Sequence, residues 1–148
     1  MVAMVAGPRY LPFLDPAEES ALFASASVQS FARDQIILDE NVPMRAIFFI
    51  EEGLVRVERQ DRGAMVPLAT LGVGDFFGEM SFVDGVATSA RVVSEEPSQL
   101  RIIDAATVDR LAGKDPHLAA RLYRSIAAIL AQRLRLTSMR VYADQSWG

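Results

Sequence analysis

Gly72-Val73-Gly74-Asp75-Phe76-Phe77-Gly78-Glu79-Met80-Ser81-Phe82, followed after a short gap by Thr88-Ser89-Ala90-Arg91-Val92, is the stretch that organises the rest of the chain. Glycines on both sides of a short apolar strand permit a tight turn and a close backbone approach. They lead into a single helical turn from Gly78, whose first N–H groups have no partner inside the helix. An anion is the natural occupant of such a place. Glu79, at the head of the turn, is an acceptor for a sugar hydroxyl, and Ser89 is a donor for a phosphate oxygen.

Around this stretch the chain falls into short apolar segments separated by turn residues every 8–12 positions. They are Val28–Phe31, Gln35–Leu38, Ala46–Ile50, Leu54–Arg59, Met65–Leu71, Asp75–Phe77, Ser89–Val93 and Gln99–Asp104. Even spacing of this kind predicts a sandwich or barrel of antiparallel strands. Val55 and Val57 alternate with Arg56 and Glu58, as in a strand wet on one face. Before the strands, residues 1–14 are an extended lead-in. Asp15-Pro16-Ala17-Glu18 then starts a helix to about Ala26, with an N-cap carboxylate, proline at the first helical position and glutamate at the third. After Asp104 the period becomes helical. A short helix over about Ala105–Leu111 ends at Gly113, and Asp115-Pro116 opens a long one to about Arg140.

The long helix carries two adjoining apolar stripes, Leu118, Leu122, Ile126 and Ile129, and beside them Tyr123, Ala127, Leu130 and Leu134. One stripe docks a helix on a barrel. The second is covered either by the short N-terminal helices or by the same helix of another copy, and a homodimer through this helix is the expectation.

Composition excludes several classes. Among 148 residues there is no cysteine and one histidine, His117, so thiolate sites, cysteine nucleophiles and the His-rich metal sites of small barrel enzymes are ruled out. No serine has a histidine plausibly near it, and the paired carboxylates Glu18-Glu19, Glu51-Glu52 and Glu95-Glu96 fall at helix starts and turns. A catalytic role is not expected, nor is a cofactor. The net charge of −4 opposes nonspecific binding to nucleic acid. Residues 1–114 hold 10 basic and 17 acidic side chains, giving −7, whereas residues 115–148 hold 5 and 2, giving +3. The basic helix is read as arginines flanking apolar stripes, and no DNA binding is expected. No run approaches the ~18 apolar residues of a membrane span, and the N-terminus lacks a basic opening and a signal core. The expectation is a cytoplasmic protein.

The FGEMSF…TSARV stretch resembles the phosphate-binding cassette of the cyclic-nucleotide-binding domain family, and the resemblance extends over about residues 11–142. It implies a jelly-roll-like antiparallel β-barrel with a leading helix and two trailing helices, occupying residues 15–142 between the lead-in and a tail at 143–148. Gly53, Gly74, Gly78 and Glu79 match the family's glycines and glutamate. Two further family glycines appear as Asp34 and Asn41, residue types that tolerate the left-handed conformation. By resemblance, Glu79 holds the ribose 2′-hydroxyl. The backbone of Gly78, with Ser89 and Ala90, lines the cyclic phosphate, flanked by Met80 and Ser81, while Val57, Leu68 and Leu71 form the barrel wall.

Arg133-Leu134-Arg135-Leu136-Thr137-Ser138 is similar to the segment with which the family's bacterial catabolite activators cover the base. The similarity implies that Thr137 bonds the base, Ser138 reaches the base in a partner subunit, and Arg133 sits over the pocket near Glu79. Met139–Gly148, the residues that follow here, are too few for the helix-turn-helix domain of such activators, and none is expected.

One position departs from the pattern. Members that bind cyclic AMP or cyclic GMP carry an arginine immediately before the Ser/Ala pair, and here it is Thr88. Threonine offers one neutral hydrogen bond and no charge. Losing one partner of a desolvated charge pair costs ~2–5 kcal/mol, which is roughly 30- to several-thousand-fold in affinity. Arg91 falls on the opposite face or at the edge, and Arg133 brings charge only at the expense of Glu79. Two functions therefore stay open. One is a stand-alone sensor domain that takes cyclic AMP or a related nucleotide between cassette and long helix. The other is a ligand-free homodimer that serves as a protein-interaction module. Glu79 and the Thr137-Ser138 pair favour the first, Thr88 the second, and the sensor is the expectation carried forward.

Overall fold

A computed structural model describes residues 9–146, with side chains described through Ser138. The first helix, α1 (Pro16–Ala24), starts where local chemistry places it. The Asp15 carboxylate accepts from the Glu18 N–H at 2.8 Å, and the Glu18 carboxylate accepts from the Asp15 N–H at 3.1 Å. This reciprocal box satisfies two backbone donors that the helix leaves free.

Eight strands follow: β1 (Ser27–Phe31), β2 (Ile36–Leu38), β3 (Ala46–Glu52), β4 (Leu54–Asp61), β5 (Ala64–Gly72), β6 (Phe76–Phe77), β7 (Arg91–Ser94) and β8 (Ser98–Asp104). All pairings are antiparallel, and they build two four-stranded sheets ordered β1-β8-β3-β6 and β2-β7-β4-β5. The jelly-roll arrangement is thus present, with each sheet hydrogen-bonded within itself rather than joined into one continuous ring. Between β6 and β7 lies the short α2 (Glu79–Asp84), and after β8 come α3 (Ala105–Lys114) and α4 (Pro116–Ser146). Gly113 does not end α3, which closes one residue later, and α4 runs past the expected Arg140. Asp34 and Asn41 adopt φ of 65° and 58°, so both turns keep the left-handed geometry expected of them.

Two hydrophobic cores share β3, which is why Ala46–Ile50 is buried without interruption. Alternate side chains serve alternate cores. Phe48 and Ile50 point between the sheets, with Val55, Phe77, Val92 and Leu100. Ile47 and Phe49 point the other way, against Leu22 of α1, Val108 of α3 and Leu118, Leu122 and Ile126 of α4.

The first apolar stripe of α4 docks as expected. Its N-terminal half is also pinned by polar contacts, since Ser125 Oγ accepts from the Phe13 N–H at 2.9 Å, Arg121 pairs with Glu18, and the Arg124 guanidinium lies 3.9 Å from the centre of the Phe13 ring. The N-terminal elements thus share a core with the first stripe, and Leu130 of the second stripe packs against that core too, while Tyr123 stacks on Phe82 of α2. Tyr123 and Leu134 of the second stripe are 39% and 67% exposed. Among the described residues, no helix is long and apolar enough to cross a membrane.

Candidate functional site

The local fold at the cassette depends on Gly78. It caps α2 with φ of +85°, and a side chain there would place its first carbon 2.6 Å from the Ala46 carbonyl oxygen. Only glycine meets both demands cheaply. With the backbone pressed against β3 in this way, the following Glu79 is directed inward.

A cavity of about 230 Å³ opens between the cassette, the β2-β7-β4-β5 sheet and α4. It brings together Gly78, Glu79, Met80, Ser81, Thr88, Ser89 and Ala90 from the cassette, Val57 and Leu71 from the β4–β5 hairpin, and Arg133 from α4. Leu38, Ala69, Phe77 and Val92 complete the lining and were not singled out from the sequence. Strand alternation was the signal for two of them. Ala69 is the register partner of Val57, and Val92 lies two residues beyond Ala90 on the same face.

Three expected residues lie elsewhere. Leu68 is 47% exposed and lines a shallow depression on the outer face of the hairpin with Arg56 and Glu95. Leu68 and Leu71 are three residues apart, an odd spacing that places them on opposite faces of a strand. Ala69 holds the wall position instead. Thr137 is exposed, and its hydroxyl donates to the Arg133 carbonyl one turn back at 3.0 Å. Ser138 is exposed as well, and neither residue lines the cavity of the single chain.

Thr88 has a structural occupation. Its Oγ1 donates to the Asp39 carbonyl at 2.6 Å and accepts from the Val42 N–H at 2.9 Å. Its backbone bonds Val42 and Asn41 too. The neutral hydrogen bond that a threonine offers a ligand is therefore already spent on the β2–β3 loop. Arg91 is no substitute for the absent arginine, because it pairs with Asp39 at 3.0 Å outside the cavity.

Charge in the cavity comes from one pair. Arg133 Nη1 lies 2.8 Å from Glu79 Oε1, its Nη2 donates to the Phe76 carbonyl at 2.8 Å, and its guanidinium sits 5.1 Å from the Phe76 ring centre. Arg133 reaches this point because it lies seven residues beyond Ile126, two turns along the docked face. Glu79 is 7% exposed. Burial lifts its carboxyl above the ordinary range, and the Glu79 N–H and the Arg133 guanidinium only partly offset this. Apart from this pair the lining is chiefly apolar, suited to an aromatic or heterocyclic body with a few polar groups. Among the described residues, no group of three or more His, Cys, Asp and Glu is arranged to hold a metal.

This geometry has relatives. Residues 28–115 match the family model for the cyclic nucleotide-binding domain. The chain is 34% identical over 115 residues to cyclic GMP-binding protein C of Dictyostelium discoideum, a match that spans 77% of this chain and 4% of that protein. Among solved structures, a cyclic nucleotide-binding domain from Methylobacillus flagellatus superposes with a TM-score of 0.82 at 23% identity, covering 88% of this chain and 74% of that one. The catabolite activator protein of Thermus thermophilus gives 0.75 at 28% identity, covering 89% and 61%. The Methylobacillus likeness, at 23% identity, speaks to the fold alone. The chain spans only a small part of the Dictyostelium protein's length. With a matched model over more than half its residues, two jelly-roll sheets and a glycine-capped cassette facing a C-terminal helix, the chain belongs to the cyclic nucleotide-binding domain family.

Proposed function

We propose that the chain is a regulatory domain that binds cyclic AMP or a related cyclic nucleotide between the cassette and α4, with weak affinity because Thr88 replaces the phosphate arginine. One observation carries this reading. Glu79, the Gly78–Ser81 backbone and Ser89-Ala90 line a single cavity that Arg133 of α4 closes from the other side. A guest there touches the sheet and the helix at once. Binding energy that differs between two positions of α4 shifts their populations. The name of the Dictyostelium relative, a cyclic GMP-binding protein, supports a purine cyclic nucleotide as the ligand class. In this reading residues 15–142 form the ligand-binding unit, the protein is cytoplasmic and catalyses no reaction, and DNA is not a partner.

A second reading, a ligand-free homodimer acting as an interaction module, draws on two observations. The Thr88 hydroxyl is unavailable to a ligand. Met80 and Val83 of α2 and Leu134 of α4 are apolar and exposed, at 59%, 49% and 67%. Dimerisation through α4 is compatible with both readings.

Calorimetric titration with cyclic AMP, cyclic GMP and cyclic dinucleotides decides between them. A sensor gives saturable heat with a dissociation constant between roughly 30 μM and a few millimolar, about 1.5 to 3.5 decades weaker than a micromolar site. No heat and no rise in melting temperature at millimolar ligand would exclude the sensor and leave the module.

A further inference from the structure

Glu79 and Arg133 are the only ionisable side chains among the described residues that line the cavity, and at 2.8 Å their charges cancel. The remaining lining, from β2, β4, β5, β6, β7 and the cassette, contributes no titratable group. A phosphodiester monoanion that enters brings a second negative charge to a space with one positive charge. The guanidinium cannot retreat without cost, because the Phe76 carbonyl holds Nη2 and the Phe76 ring lies beneath it. Nη1 is the part that changes partners.

We propose, resting on the sensor reading above, that the ligand anion takes Arg133 as its counter-charge and that Glu79 binds one proton as it loses that charge. Arg133 thereby does the work of the absent cassette arginine, from the helix side, and Glu79 goes from anion to neutral carboxylic acid. The proton comes from the solvent. The balance is simple: one anion and one proton enter, and the cavity stays neutral. Two like charges sharing a buried site cannot both remain ionised cheaply. The burial that already lifts the Glu79 carboxyl makes it the group that yields. As a neutral acid it still accepts from a sugar hydroxyl through its carbonyl oxygen and gains an O–H donor.

The sign follows from linkage. Proton uptake on binding makes affinity rise as pH falls, by up to about tenfold per pH unit between the free and bound titration points of Glu79. Calorimetry of the full chain with cyclic AMP and cyclic GMP, from pH 5.5 to 8.5 in two buffers of different ionisation enthalpy, reads both the affinity and the protons taken up. The expected result is net uptake approaching one proton and affinity falling with pH. Glu79→Gln removes the uptake and binds at least tenfold more tightly than the parent at pH 8. Arg133→Gln loses affinity at every pH, and Arg133→Lys restores part of it. Circular dichroism establishes that each variant is folded. Binding with no proton uptake and no pH dependence in the parent would overturn the exchange and leave the sensor reading standing. Silence from the parent and from Glu79→Gln at millimolar ligand would remove both.

Discussion

The two walls of the cavity differ in how they are held. The sheet-and-cassette wall is continuous with the inter-sheet core through Phe77 and Val92, and it is tied at its far end by the two hydrogen bonds of Thr88 Oγ1. The helical wall is one side chain, Arg133, projecting from α4 beyond its docked half. Leu118, Leu122 and Ile126 of that helix are buried in the core, Ser125 pins it, and Ile129 and Leu130 still pack against the core, whereas Leu134, Leu136, Thr137 and Ser138 are exposed. One wall is continuous with the core, and the other is held at Arg133 by the Glu79 ion pair, the Phe76 carbonyl and the Phe76 ring. In the proposed function, a ligand that competes for the Glu79 pair reaches the helix through Arg133, the one α4 side chain among the described residues that lines the cavity.

The contrast can be broken most forcefully from the rigid side. Phe77 is 4% exposed and stacks on Phe48 at 4.9 Å with rings 2° apart. Phe77→Ala should destabilise the fold by about 3–5 kcal/mol, lowering the melting temperature by roughly 10–20 °C, as thermal denaturation will measure. Thr88→Val keeps the shape and removes both side-chain hydrogen bonds. It leaves the Val42 N–H and one Asp39 carbonyl contact unmade, at an expected cost of about 1–3 kcal/mol in urea unfolding. The same staple sharpens the outlook for Thr88→Arg. The new charge is offset by the lost tie to the β2–β3 loop, so the gain in cyclic AMP affinity by titration should be smaller than the ~30-fold lower bound for a bare charge pair.

On the helical side the effects shrink along α4. Ser125→Ala unties the Phe13 N–H and should cost about 1 kcal/mol. Leu134→Ala, at 67% exposure, should change unfolding free energy by less than about 0.5 kcal/mol. If α4 pairs with a second copy, the same variant weakens the dimer in sedimentation velocity. A large loss of monomer stability at Leu134 would show that the far half is docked after all, and the two walls would no longer differ.

Much of this was legible beforehand because the governing interactions are local. The capping box at Asp15 and Glu18 needs only residues three apart. The strand segments announced themselves by spacing, and the turns at Asp34 and Asn41 by residue type. Leu68 lies on the outer face of β5, as its odd spacing from Leu71 requires, so alternation and not family resemblance gives the wall position to Ala69. Thr88 was different in kind. Nothing in its sequence neighbourhood reveals that Asp39 and Val42, some fifty positions earlier, would claim its hydroxyl.

Residue type and short-range order were enough to set the element sequence, the glycine-dependent cassette and the family, because helix caps, alternation and positive φ are properties of a few adjacent residues. The fate of individual polar groups was settled only in the folded chain. Whether a hydroxyl is free, which carboxylate a guanidinium neutralises, and how deeply Glu79 is removed from water all depend on partners distant in sequence. Those partners approach only after the two cores have packed, and a charge buried away from water is governed by what that packing places beside it.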